Sequence, residues 1–261
     1  MSDNTVYLIT GANRGIGLAI TTLLLSRPST TVIATARDTT WLASPTLPPD
    51  AAPIHATSTL LPLALDESNP SITSATLAAR LRETHGVEKL DVVLANAGMS
   101  SAVKDILGTD TETEMSQEWE VNALGPARLF KGVWGMLEPS GEEKEKGRVK
   151  RFVLMSSSVG SIGNLERENL PGIGYGMSKA AANWWGRKLS LEFAGRGLVV
   201  GILHPGWVQT RMGQTLADAL SFKEPPMTLE QCAKAVVEQI DNLTPEKSGK
   251  FLSHDGKELP W

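Results

Sequence analysis

Short apolar runs alternate along the chain with longer stretches whose apolar residues recur at helical spacing. Residues 6–10, 31–36, 61–66, 90–95, 151–155 and 198–203 are the short runs and read as strands. Residues 18–25, 72–85, 115–137, 175–193 and 229–243 read as helices, and 250–253 as a last short strand. Residues 39–53, rich in Thr, Ser and Pro, are expected to be irregular, as are 101–113 and 159–173. The charged stretch 142–146 is expected as a surface loop and 213–227 as a mobile lid over whatever the sheet binds. Trp184, Trp185, Leu189 and Phe193 are expected to face the core or a neighbouring helix. The alternation predicts an α/β protein.

At 261 residues the chain is near the upper limit of one hydrophobic core, and no composition shift marks a linker, so a single domain is expected. A net charge of -4 offers no basic footprint, which argues against nucleic acid or an anionic membrane as partner and leaves small molecules. The lone Cys232 cannot form an internal disulfide and reads as a buried filler, since no His stands near it in sequence. The start Met1-Ser2-Asp3-Asn4 lacks the charged-then-apolar pattern of a secretory signal. No apolar run approaches the roughly 18 residues of a membrane span, so a cytoplasmic protein is expected.

Chemistry concentrates at the strand ends. The first strand runs into Gly11-Ala12-Asn13-Arg14-Gly15-Ile16-Gly17 and then a helix. Gly11 permits a tight turn, Gly15 leaves room for a pyrophosphate against backbone N–H groups, and Gly17 lets helix and strand pack closely; the helix N-terminus adds partial positive charge. The spacing is G-x-x-x-G-x-G, not G-x-G-x-x-G, so a plain turn and a cofactor cradle both fit at this point. Arg37 follows the second strand, where a dinucleotide fold meets the adenosine ribose, and Arg14 can close on a 2′-phosphate from the other side. The two arginines point to NADP(H); Asp38 is the contrary signal.

Asp66 fits an adenine amino group or, equally, a turn or helix cap. Asn96-Ala97-Gly98 ends the fourth strand with small residues that let the sheet edge meet a cofactor, and the Asn amide can tie neighbouring strands. Asn122 lies inside a predicted helix, where Asn is mildly unfavourable; it caps a local irregularity or holds a water. Ser156-Ser157-Ser158 stands at the C-terminal end of the fifth strand, the edge where open α/β sheets bind ligands. After the sixth strand, Pro205, Gly206 and Val208 can set backbone groups against a carboxamide and Thr210 can add a hydroxyl, while His204 reads as structural. Tyr175 and Lys179, four apart on a helix, share one face, so the ammonium should lower the phenol's pKa and fit Tyr175 for acid–base work.

Taken together, Thr10-Gly11-x-x-x-Gly15-x-Gly17, Asn96-Ala97-Gly98, Asn122, Ser157 and Tyr175-x-x-x-Lys179 resemble the short-chain dehydrogenase/reductase family over nearly the whole chain. The resemblance implies a single Rossmann-type domain, a doubly wound parallel sheet with helices on both faces. Residues 1–150 would form its cofactor half and 151–261 its catalytic and substrate half. It also implies that Tyr175 donates the proton, Ser157 orients the substrate carbonyl, Lys179 holds the nicotinamide ribose and Asn122 holds a relay water. Ser158 is the alternative serine, and the gap between Ser157 and Tyr175 is longer than usual in the family. Thr35-Ala36-Arg37-Asp38, His204-Pro205-Gly206-Trp207-Val208 and the tail Asp255-Gly256-Lys257-Glu258-Leu259-Pro260-Trp261 are similar to the branch of carbonyl reductases, sniffer and C-factor proteins and fungal norsolorinic acid ketoreductase-like proteins. The implied activity is NADP(H)-dependent reduction of a ketone, by a homodimer or homotetramer. The competing readings are alcohol oxidation by the same site and an NADP(H)-sensing scaffold without turnover.

Overall fold

The computed structural model describes residues 4–69, 76–101, 112–145 and 149–261, excepting the side chains of 144 and 145. Its centre is one seven-stranded sheet, ordered β3-β2-β1-β4-β5-β6-β7. The strands are β1 (Thr5–Ile9), β2 (Thr30–Ala36), β3 (Thr59–Ala64), β4 (Val92–Ala95), β5 (Lys150–Met155), β6 (Leu198–His204) and β7 (Phe251–Ser253). Every pairing is parallel. The helices are α1 (Gly15–Leu25), α2 (Thr39–Ala43), α3 (Leu77–His85), α4 (Glu112–Trp119), α5 (Gly125–Leu137), α6 (Gly141–Glu145), α7 (Ile173–Phe193), α8 (Arg211–Ala219) and α9 (Leu229–Asp241).

Alternate side chains of a strand point to opposite faces, and both faces here are covered. Tyr7 and Ile9 join α1 and α9 through Ile20, Leu24, Val236 and Ile240. Leu8 joins α3, α5 and α7 through Leu81, Leu129, Phe130 and Leu189. The chain steps outward from β1 to β3, then returns to pair β4 with β1. The strand order reverses there, and a crevice opens at the C-terminal edge, as doubly wound sheets require.

Helix α7 packs tightly on the sheet and the turn after β5 at glycine positions. A Cβ on Gly186 would stand 3.0 Å from Ile202 on β6, and one on Gly160 would stand 2.8 Å from the Lys179 backbone. Glycine at both places lets the helix and the turn after β5 interlock.

Several local expectations are corrected. Residues 39–53 are not wholly irregular: Asp38 accepts from the N–H groups of Thr40 (3.0 Å) and Trp41 (3.2 Å) and so caps α2, burying Trp41. The single helix expected over 115–137 is two helices joined by a π turn, Glu120–Leu124. Pro126 has no N–H to give the Asn122 carbonyl, the bond an unbroken α-helix needs there. The charged stretch 142–146 is not simply a loop, since α6 covers part of it. Within it Glu143 pairs at 2.8 Å with Lys150, only 2% exposed, which also meets Asp91 at 2.8 Å. Trp185 packs edge-on against Phe130 and Phe152, but Trp184 is 69% exposed, because adjacent helical positions face about 100° apart.

The helix expected over 72–85 runs from Leu77, residues 72–75 lying outside the described set, as do 102–111 of the expected loop. The expected lid carries α8. It is fastened at its ends by Gln209 N–H to the Met227 carbonyl (2.8 Å) and Trp207 Nε1 to the Gly213 carbonyl (3.0 Å).

Candidate active site

A cleft of about 1420 Å³ follows the C-terminal edge of the sheet. At one end lies the glycine turn, where Gly11 takes a left-handed φ of 63°. Gly11, Asn13, Arg14, Gly15 and Ile16 line the cleft, and Gly17 packs behind them. Arg14 is the N-cap residue of α1 but supplies no side-chain cap, and no acidic residue occupies the first turn. The first N–H groups of α1 are therefore left for an anion, beside Arg14 and Arg37 on the cleft wall. This donor set suits a phosphorylated dinucleotide. Asp38 does not compete for a ribose, since its carboxylate caps α2. Asp66 lines the cleft while closing a turn through Ser68 N–H (3.1 Å) and Ser68 Oγ (2.7 Å).

In mid-cleft, Asn96 Nδ2 donates to the Thr10 carbonyl at 2.8 Å, tying β4 to β1, and Thr10 Oγ1 accepts from the N–H groups of Asn96 and Ala97, both at 3.0 Å. Ala97 and Gly98 complete this wall. Asn122 stands behind it, 1% exposed. Its Oδ1 accepts from Met99 N–H at 2.9 Å, and its Nδ2 donates to the Met99 carbonyl at 2.8 Å and to Ser178 Oγ at 3.0 Å.

At the far end, α7 presents Tyr175, half-buried, and Lys179, 4% exposed. The Lys179 ammonium lies 5.6 Å from the Tyr175 ring centroid and donates to the Met155 carbonyl at 2.8 Å. Ser157 is the serine that acts on the Tyr175 phenol, while its Oγ also accepts from Val159 N–H at 3.4 Å. Ser158 begins the 3-10 turn after it, its N–H donating to His204 Nδ1 at 3.1 Å. Pro205 and Thr210 line the cleft from the β6 side, with Gly206 and Val208 behind them. The Thr210 hydroxyl is engaged as the cap of α8, accepting from Gly213 N–H at 2.9 Å.

The electrostatics correct one expectation. Burial pushes the Tyr175 phenol up to about 12, against the lowering effect of Ser157 and with Glu118 adding to the rise. The ammonium over the ring does not bring the phenol into the neutral range. Burial also pushes Lys179 down to about 8, opposed by Glu67. His204 is pushed down to about 4 by burial and is neutral at pH 7, as a structural acceptor should be. Among the described residues no group of three His, Cys, Asp or Glu side chains is placed to hold a metal.

Thr10, Glu67, Glu118 and Ser178 escaped the sequence reading as individual site residues. Ser178 Oγ links Asn122 to the Tyr175 carbonyl, to which it donates at 2.8 Å. Glu118 accepts from Ser101 N–H at 2.7 Å. The one available signal was spacing: Glu118 and Ser178 lie on the helical faces that carry Asn122 and Tyr175.

The sequence profile of the short chain dehydrogenase family matches residues 5–221. The short chain dehydrogenase gsfK of Penicillium aethiopicum is 37% identical over 260 residues, covering 97% of this chain and 98% of that protein. The norsolorinic acid ketoreductase of Aspergillus parasiticus is 34% identical over 262 residues, 99% of this chain and 92% of that protein. Among solved structures, the NADPH-bound carbonyl reductase from chicken fatty liver superposes with a TM-score of 0.80 at 30% identity, covering 100% of both chains.

Proposed function

The chain belongs to the short-chain dehydrogenase family, and we propose that it is an NADP(H)-dependent ketoreductase that reduces a ketone, of the aromatic polyketide class, to an alcohol. The observation that carries this reading is Tyr175, acted on by Ser157, with Lys179 at one end of a cleft whose other end holds an uncapped helix N-terminus, with Arg14 and Arg37 on the cleft wall. The fungal relatives and the NADPH-bound structural neighbour support it.

NADPH, when bound, supplies the hydride. Gly15, Ile16, Arg14 and Arg37 are the groups that would hold its phosphates, and Lys179 its ribose. Tyr175 would give its proton to the carbonyl oxygen and the Ser157 hydroxyl would donate a hydrogen bond to the same oxygen, so that both donors meet charge as it develops, and the phenolate left behind would regain its proton from solvent in the cleft. A phenol near 12 is fully protonated at pH 7, the form that reduction consumes. Asn122 fixes Met99 and, through Ser178, the first turn of α7. Met99, Met212 and Leu229 give the cleft apolar wall suited to an aromatic substrate.

We read the chain as one cytoplasmic unit, its cofactor half at 1–150 and its catalytic half at 151–261. Met177, Trp184 and Leu191 make an exposed apolar stripe along α7, 51%, 69% and 62% exposed, which supports a homodimer or homotetramer. The test is NADPH oxidation across a panel of ketones and quinones. Turnover of aromatic ketones is expected; tight NADPH binding with no turnover on any of them would return the sensor reading.

A further inference from the structure

One buried carboxylate in the cleft has no part in the steps above. Glu67 follows Asp66 beyond β3 and is 5% exposed, and its Oε2 has no hydrogen-bond partner among the described residues. The hydrogen-bonding group that acts on the carboxyl is the Thr10 hydroxyl. The direction of the bond is set by the neighbours: Thr10 Oγ1 already accepts from Asn96 N–H and Ala97 N–H, so its single proton is left for Glu67. The same 96–98 turn is flanked by Lys179, whose Nζ lies 3.6 Å from the position a Gly98 Cβ would take. A carboxyl and an ammonium thus sit around one turn in the floor of the cleft, and both line it.

An unpaired carboxylate is costly to bury, and an apolar side chain would fill the place without that penalty. What balances Glu67 is therefore informative. The charged groups facing it are Lys179 from α7, Arg37 from the end of β2 and its neighbour Asp66, of which Lys179 acts most strongly. Arg128 on α5 reaches only the Glu67 backbone carbonyl, at 3.5 Å, and its charge is engaged by Glu120 at 2.6 Å. Seen from Lys179, Glu67 is the carboxylate that opposes the effect of burial.

We propose that Glu67 is the buried counter-charge of Lys179 across the 96–98 turn, a positioning residue that keeps Lys179 an ammonium as pH rises. Burial pushes Glu67 up and Lys179 down while each charge opposes that effect on the other, so the two titrate together. As pH climbs, the carboxyl ionises, its charge held by the Thr10 hydroxyl, and that charge retains the lysine's proton. The inference rests on the reading of Lys179 as the group that holds the cofactor ribose.

The experiment measures NADPH affinity by fluorescence from neutral to alkaline pH, a readout that does not need turnover. Glu67→Gln should match the wild type near neutrality and lose affinity at a pH lower by about one unit. Glu67→Asp should recover part of that shift. Added to Lys179→Met, Glu67→Gln should leave the profile unmoved. Superimposable wild-type and Glu67→Gln curves would overturn the proposal, as would an equal shift in the Lys179→Met background, which would mark Glu67 as merely structural. Should Glu67→Gln fail to fold, Glu67→Met, similar in volume and uncharged, is read by the same criteria. A shifted binding profile with no ketone turnover would leave this inference standing and remove the ketoreductase reading.

Discussion

Asn122 holds Met99 by both ends of its amide, accepting the Met99 N–H at 2.9 Å and donating to the Met99 carbonyl at 2.8 Å. A side chain thus does for the cleft wall what a neighbouring strand does for a sheet, and it does so from a π turn that Pro126 enforces. Asn122→Ala should leave the Met99 groups and Ser178 without this partner and destabilise the fold by about 3 kcal/mol. Urea unfolding reads this; an unchanged midpoint would mean that the clamp adds nothing.

Tyr175→Phe keeps the ring under the Lys179 ammonium and removes the acidic proton. Turnover should fall by about 10²–10⁴-fold while NADPH affinity stays near wild type. Activity like that of the wild type would remove Tyr175 from the acid role.

Arg37 and Asp38 are neighbours with separate duties. Arg37→Asp should move preference from NADPH toward NADH, seen in the ratio of the two kcat/KM values. Asp38→Ala should leave that ratio alone and cost about 1 kcal/mol of stability through loss of the α2 cap. A changed ratio in Asp38→Ala would mean that the carboxylate reads the ribose after all.

Glu143 carries an acid-sensitivity prediction. Burial would raise its pKa, but hydrogen bonds from Lys150 and Ser140 more than offset that and hold it down to about 2. A carboxylate depressed in the folded state stabilises above its unfolded value of about 4.5 and loses that contribution as pH falls toward 2. Urea midpoints should therefore decline through that window, and Glu143→Gln should flatten this part of the decline. Parallel curves for the two proteins would disprove the assignment.

The α7 stripe can be broken at its most exposed member. Trp184→Glu should reduce an oligomer to monomers in light scattering while leaving the secondary structure intact. A wild-type particle mass would place the subunit contact elsewhere.

The gathering of the cleft residues at the strand ends was legible from sequence because a glycine turn, Asn96-Ala97-Gly98 and Tyr175-x-x-x-Lys179 are local spacings with local reasons. The alternation of strand and helix was legible likewise, and the doubly wound parallel sheet followed from the resemblance. Two missed features also had local signals: Asp38 before Thr39-Thr40-Trp41 as a cap, and Pro126 four positions after Asn122 as the cause of the π turn. Glu67 and the cluster of Asp91, Glu143 and Lys150 had none, since their partners lie far along the chain. The phenol's pKa was misjudged for the same reason. Sequence shows the nearby lysine, whereas the burial that outweighs it belongs to the assembled fold.

Gly160 and Gly186 fix α7 against the turn after β5 and against β6 by leaving no gap to fill. At Gly160 an added carbon would meet the backbone of Lys179 itself, so the helix that carries Tyr175 and Lys179 would have to shift, whereas at Gly186 it would meet the ends of the Leu154 and Ile202 side chains. Under the ketoreductase reading, directed evolution should therefore find Gly160 intolerant and draw its useful variation from cleft-lining residues such as Met99, Met212 and Leu229. On that reading Tyr175 and Lys179 would stay fixed while the wall around them varies.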